Sequence, residues 1–156
     1  MAAIEKRRMT VEVDGPFVVF LIGMRINKFW KPHKWLPVAM AMPRMLKDLA
    51  ARPDSGYLGG QQYLGVSVQY WRSFDHLEQY AHDRERSHWP AWVAFNEKVG
   101  GNEWRRRRVW HETYQIAANQ YEAIYVSTRP MGLGTVGRPV PALDGRDSAR
   151  GRITPS

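Results

Sequence analysis

Phe17-Val18-Val19-Phe20-Leu21-Ile22 is the stretch on which the fold turns. Aromatic and β-branched side chains favour a pleated strand. Here they fill successive rather than alternate positions, so both faces of the strand are apolar. That predicts burial on both sides or a central place in a sheet. Upstream, residues 1–14 read as a polar lead-in closed by the turn pair Asp14-Gly15.

Downstream, a loop over Asn27–Pro32 precedes a helix in which Trp35, Val38, Ala39, Met42, Met45, Leu46 and Leu49 recur at helical spacing. Pro37 suits its first turn, Pro43 predicts a kink or a restart, and Arg52-Pro53-Asp54-Ser55-Gly56 ends it. Tyr57–Gln62 is a strand candidate weakened by Gly59-Gly60. Val66, Val68 and Tyr70 alternate with Ser67, Gln69 and Trp71, the period of a strand. Ser73 is placed to cap a helix carrying Phe74, Leu77, Tyr80 and Ala81, and a further helix carries the stripe Trp89, Trp92, Phe95 and Val99 up to Gly100-Gly101. Val109–Ile116 reads as a strand, and Tyr121–Val126 as its hairpin partner or as a strand crossing to another chain.

The order over residues 15–128 is β–α–β–β–α–β with the second helical region split. The expected class is α+β with a ferredoxin-like split βαβ arrangement. Helices cover one face of such a sheet, and the other apolar face calls for a partner, so a homodimer is expected. Residues 129–156, rich in Gly, Pro, Arg and Ser, are expected to be an extended or disordered basic C-terminal tail.

At 156 residues the chain has the length of one domain, and 44% hydrophobic with 24% charged residues is a globular balance. Cysteine is absent, which removes disulfides, thiolate metal sites and a cysteine nucleophile. Met1–Met9 is charged and lacks the apolar run of a signal peptide, and the longest apolar stretch, Phe17–Met24, is far below the ~20 residues of a membrane span. A cytoplasmic protein with no membrane contact is expected. The formal charge is +8, concentrated in Arg105-Arg106-Arg107-Arg108 and in a tail where five arginines face two aspartates. With no zinc-finger, RRM-like or KH-like signature, this reads as a solvated basic edge and tail, and nucleic acid is disfavoured as a partner.

A set of motifs in order carries a family resemblance: Phe17–Lys28 into His33-Lys34-Trp35-Leu36-Pro37-Val38, then Val68-Gln69-Tyr70-Trp71-Arg72-Ser73, His88-Trp89-Pro90-Ala91-Trp92-Val93-Ala94-Phe95-Asn96, Trp110-His111-Glu112-Thr113-Tyr114 and Tyr121–Val126. Over roughly residues 15–135 the chain resembles the monooxygenase-like proteins grouped as DUF4188, themselves related to the antibiotic-biosynthesis monooxygenase superfamily. The resemblance implies a dimeric α/β barrel. Some members of that superfamily oxidise polycyclic phenolic substrates with neither metal nor flavin, while related barrels, the aldoxime dehydratases and chlorite dismutases, bind haem. It carries over no catalytic residue.

The residues themselves nominate a site. If 88–99 is helical, His88 shares a face with Trp92, Phe95 and Val99, and a buried neutral imidazole can serve as a base or as an axial haem ligand; a helix-start histidine satisfied by backbone is the plainer alternative. On the strand around Glu112, Trp110 and Tyr114 share its face, and His111 takes the other. Glu112 is a candidate to orient a base or bind a substrate hydroxyl, or else to pair with Arg25. Tyr70 and Trp71 point to opposite faces, and one of them, with Trp35, Trp92 and Trp110, is expected to line a pocket suited to a flat aromatic ligand. Seven tryptophans exceed what packing alone asks for. His33, His76 and His82 lack metal-site spacing, and Gly132-Leu133-Gly134-Thr135-Val136-Gly137 lacks the βα context of a phosphate loop. The leading expectation is a monooxygenase acting on an aromatic or polyketide-like small molecule, with no organic cofactor and no metal. The alternatives are a haem protein on the same scaffold and a non-enzymatic ligand-binding or dimerisation module.

Overall fold

The computed structural model describes residues 6–24, 30–31, 36, 40, 43, 46–82 and 109–153. The fold is a mixed α+β one with two antiparallel sheets. Its strands are β1 (Arg8–Glu12), β2 (Phe17–Met24), β3 (Tyr57–Tyr63), β4 (Val66–Trp71), β5 (Val109–Ile116), β6 (Tyr125–Val126) and β7 (Arg138–Pro141), with helices α1 (Phe74–His82) and α2 (Ala149–Arg152). Residues 46–50 are also helical, as are the isolated described positions Leu36, Met40 and Pro43.

The larger sheet has the order β3-β4-β2-β5. The doubly apolar β2 lies inside it, with β4 on one side (Val18 opposite Trp71, Leu21 opposite Val68) and β5 on the other (Phe17 opposite Ile116, Leu21 opposite Glu112). Because successive side chains alternate, β2 feeds two cores. Val18 and Phe20 pack on one face with Trp71, Leu49 and Leu77, under the helices, and Phe17 and Val19 pack on the other with Tyr70, Val68 and Ile116. Trp71 is fully buried, wedged against Tyr57 and Tyr80 at ring separations of 5.3 and 5.4 Å.

The alternation in β4 marks the strand correctly, but its polar side does not face water. Ser67 and Gln69 are buried on the helix side, where the Trp71 indole N–H donates to Gln69 Oε1 (3.2 Å) and the Gln69 amide donates to Ser67 Oγ (3.3 Å). Polar side chains that are hydrogen-bonded can be buried at little cost. Ser73 caps α1 as its position suggests, accepting the His76 N–H at 3.3 Å.

The two ends of the chain depart most from expectation. The supposed lead-in forms β1, the middle strand of the second sheet, order β6-β1-β7. The supposed tail supplies β7, paired with β1 from Glu12–Arg138 to Met9–Pro141. Thr10 and Val11 are buried as a result. Prolines disguised this strand. Pro139 and Pro141 share one parity, and the N–H that reaches β1 beyond the strand end comes from Ala142, donating to Arg8 O at 3.0 Å, so the missing donors fall on the outer edge, where proline is tolerated. The expected hairpin of Val109–Ile116 with Tyr121–Val126 is also corrected. Only Tyr125–Val126 is strand, and it pairs with β1. Asn119, at φ 62°, turns the chain aside, and Tyr121 docks edge-on to Phe17 (5.4 Å) while its hydroxyl accepts the Val13 N–H at 2.6 Å.

Between β6 and β7 the chain lies as a strap on the Phe17–Tyr70 face, with Leu133 and Val136 packed into that cluster. Gly59 makes room for it, since a Cβ there would stand 2.4 Å from Val136 Cγ1. Gly59, one of the two glycines that weaken β3 as a strand, is thus what seats the strap. Glu12 binds both Arg138 and Arg146, and Arg152, whose side chain is only 6% exposed, binds Glu122. Truncation after residue 128 removes β7 and the strap together. We expect it to cost about 3 kcal/mol or more in urea unfolding, by the usual burial energies of the aliphatic groups lost; an unchanged midpoint would refute the strap's structural role.

Candidate functional site

Four of the nominated residues share the strap-side face of the larger sheet. Tyr70 comes from β4, and Trp110, Glu112 and Tyr114 come from β5, opposite Gly23, Leu21 and Val19 of β2. Trp71 and His111 are on the helix side: Trp71 in the core, and His111 exposed with its ring 5.8 Å from that of Phe20. Arg25, Trp35, His88 and Trp92 lie outside the described residues, as does the Arg105–Arg108 run.

The β5 row is built rather than incidental. A Cβ on Gly23 would fall 2.5 Å from Trp110 Cε2, so the indole lies flat across the neighbouring strand only because residue 23 is glycine. The other side of that ring is open, with Trp110 40% and Tyr114 48% exposed. The Tyr114 hydroxyl donates to Glu112 Oε2 at 2.5 Å. Holding the proton toward the carboxylate raises the Tyr114 pKa above its usual value. The row therefore offers an aromatic platform beside an oriented carboxylate, a pairing that suits a flat ligand carrying a hydroxyl.

Tyr70 is the buried member of the face. Burial pushes its hydroxyl up to about 12, with Tyr125 and Tyr63 adding to the effect. Sequence reasoning did not find Gln61, Tyr63 or Tyr125, which gather around Tyr70 under the strap. Gln61 Oε1 accepts from the Tyr63 hydroxyl (2.9 Å) and from the Gly132 N–H (2.8 Å), and Tyr125 accepts the Gly134 N–H (2.7 Å). The available signal was the alternation of Gln61 and Tyr63 past the weak Gly59-Gly60 pair, obscured because the turn that completes the group is remote in sequence.

Among the described residues the other histidines, His76 and His82, are peripheral, and His33 lies outside them. His76 Nδ1 lies 2.7 Å from Ser73 Oγ within the cap of α1, and His82 is exposed. Among the described residues no three His, Cys, Asp or Glu side chains cluster so as to hold a metal ion. A polar cleft of about 190 Å³ lies elsewhere, between β1 and α2, and is lined by Thr10–Asp14, Asn119, Tyr121, Arg146, Gly151 and Arg152. Its arginines are engaged by Glu12 and Glu122, and it contains none of the nominated residues. Among the described residues no helix is long and apolar enough to cross a membrane.

The buried phenols give the fold an alkaline limit. Tyr57 and Tyr70 ionise near 12 in the folded chain against 10.0 for the free side chain. The unfolded chain loses these protons first, so stability is full below pH 10 and declines as pH rises toward 12. We expect urea midpoints to fall across this window and Tyr70→Phe to reduce the fall. A slope unchanged by Tyr70→Phe would show that Tyr70 does not contribute.

The span that holds these residues also carries the chain's kinship. Among curated proteins, none matches it. The family model described as Monooxygenase af470-like matches residues 17–133, from the first residue of β2 into the turn of the strap. The match covers well over half of the chain and agrees with the resemblance to monooxygenase-like proteins carried by its motifs. The chain belongs to the monooxygenase af470-like family.

Proposed function

We propose that the chain is a small monooxygenase that oxidises an aromatic or polyketide-like molecule against the strap-side face of its larger sheet. The observation that carries this reading is the shared face of Tyr70, Trp110, Glu112 and Tyr114 inside the family-matching span. Trp110 stacks the substrate, and Glu112, oriented by Tyr114, accepts a hydrogen bond from a substrate hydroxyl. His88 is the base.

The chemistry needs dioxygen and no resident cofactor or metal. His88 removes a proton from an acidic C–H of an electron-rich ring system. The carbanion transfers one electron to O2, and the substrate radical and superoxide combine into a peroxide anion. The imidazolium returns its proton to give the hydroperoxide. Loss of water from the hydroperoxide, taking the remaining C–H hydrogen, leaves a carbonyl. One oxygen atom of O2 enters product and the other leaves as water. A positioned base contributes about 10²–10⁴-fold to such proton transfers.

The strand order supports a ferredoxin-like arrangement, since the first strand of the larger sheet is flanked by its third and fourth. The exposed Trp110 and Tyr114 support a second copy of the chain closing over the β5 side of the face into a dimeric α/β barrel. The test is oxygen uptake with hydroxylated polycyclic substrates. His88→Ala is expected to lose about 10²-fold or more in turnover with the fold intact, and full activity would remove His88 from its role. A visible spectrum taken before and after adding haemin checks the cofactor. A sharp Soret shift lost in His88→Ala would replace this reading with a haem protein.

A further inference from the structure

We propose that the hydroxyls of Tyr70 and Tyr125 form a two-donor cradle for an anionic oxygen of the enolate or phenolate class. The inference deepens the oxygenase reading and rests on it for the substrate. Its basis is the geometry under the strap. Tyr125 accepts the Gly134 N–H at 2.7 Å, and a Cβ on Gly134 would stand 2.9 Å from the phenol Cζ, so the turn is seated on that ring. Tyr70 reaches the same turn from β4, where a Cβ on Gly132 would meet its Oη at 3.2 Å. Gly132, at φ 53°, also adopts a conformation that side-chain-bearing residues rarely take. Two phenols from different sheets thus converge on residues two apart in one turn, Gly132–Thr135.

Both hydroxyls have a proton to give. Tyr125 uses a lone pair on Gly134, and its O–H has no acceptor among the described residues. Tyr70 is 7% exposed, and its hydroxyl has no hydrogen-bond partner among the described residues. Buried polar groups are rarely left so unless a ligand or water completes them. Tyr63 is committed differently, since it donates to Gln61 Oε1, the oxygen that also holds the Gly132 N–H. Tyr63, 41% exposed, is the solvent-facing member of the group.

Electrostatics favour the same use. Burial raises the pKa of both phenols, so they remain protonated donors at neutral pH. Glu122, the carboxylate that acts on Tyr125, is paired with Arg152. Neutral donors fixed in a desolvated place stabilise charge that develops on a substrate oxygen more than charge already present in the ground state. In the proposed reaction that charge appears when the base removes the proton, and an oxygen conjugated to the carbanion carries it.

The probe is 4-nitrophenol, whose neutral and ionised forms absorb differently, titrated into the full-length protein. The protein is expected to bind the phenolate in preference to the phenol, lowering the apparent pKa of the probe. Tyr70→Phe and Tyr125→Phe should each weaken phenolate binding about tenfold or more. Tyr57→Phe, on the helix side, should not. Phenolate binding that is absent, or unchanged in both variants, overturns the cradle, as does evidence that the pair holds only a water. If Tyr125→Phe disturbs folding by releasing the Gly134 N–H, Tyr70→Phe decides, because that hydroxyl holds no bond to lose. Oxygen uptake separates the two ideas. Phenolate held by both tyrosines without oxygen consumption overturns the oxygenase and keeps the cradle, and oxygen turnover indifferent to both Phe variants overturns the cradle and keeps the oxygenase.

Discussion

The fold depends on one constraint: a strand apolar on both faces must have both faces covered. β2 meets it by lying between β4 and β5 and by receiving helices on one side and the chain's own C-terminal strap on the other. Burying side chains such as Val18, Phe17 and Val19 stabilises by about 1.5–3 kcal/mol each. That gain is available only if something packs against each face. Trp71 and Tyr70, neighbours in sequence, are the anchors of the two cores.

That much was legible in the sequence. Phe17–Ile22 announced an interior strand, Val66–Trp71 showed its period, and Val109–Ile116 is a strand with the bounds read from its composition. Each of these signals is local. What failed was the second sheet, and it failed for reasons of distance. β1 and β7 are weak strands alone, polar in one case and half proline in the other, and their partners lie more than a hundred residues away, β7 on β1 and both β6 and β7 on the two sides of β1. Local propensity cannot report such a pairing. The polar side of β4 was misleading in a different way, because Ser67 and Gln69 are polar yet buried, with Gln69 hydrogen-bonded to both Ser67 and Trp71.

The same division runs through the candidate site. Alternation alone places Trp110, Glu112 and Tyr114 together and sets His111 apart, and the registers agree. The grouping of Tyr70 with Tyr125, Gln61 and the Gly132–Thr135 turn needed the strap, which composition had assigned to an extended or disordered tail. Glycines were the underused signal. Gly23 under Trp110 and Gly59 under Val136 mark places where another side chain lies directly on the backbone. In a one-dimensional reading they count only as weak points of strands.

The prolines of β7 have a consequence for self-association. A sheet ends safely only where its last strand offers a newcomer few hydrogen bonds, and open edges invite runaway stacking of chains. Pro139 and Pro141 strip two donors from the outer edge of β7, and the opposite margin, β6, is two residues long. Among the described residues, both margins of the smaller sheet thus offer a newcomer few hydrogen bonds. The C-terminal segment does more than cover a core: its prolines leave the edge of the sheet with fewer donors for another chain to pair with, and they are the same residues that hid it as a strand.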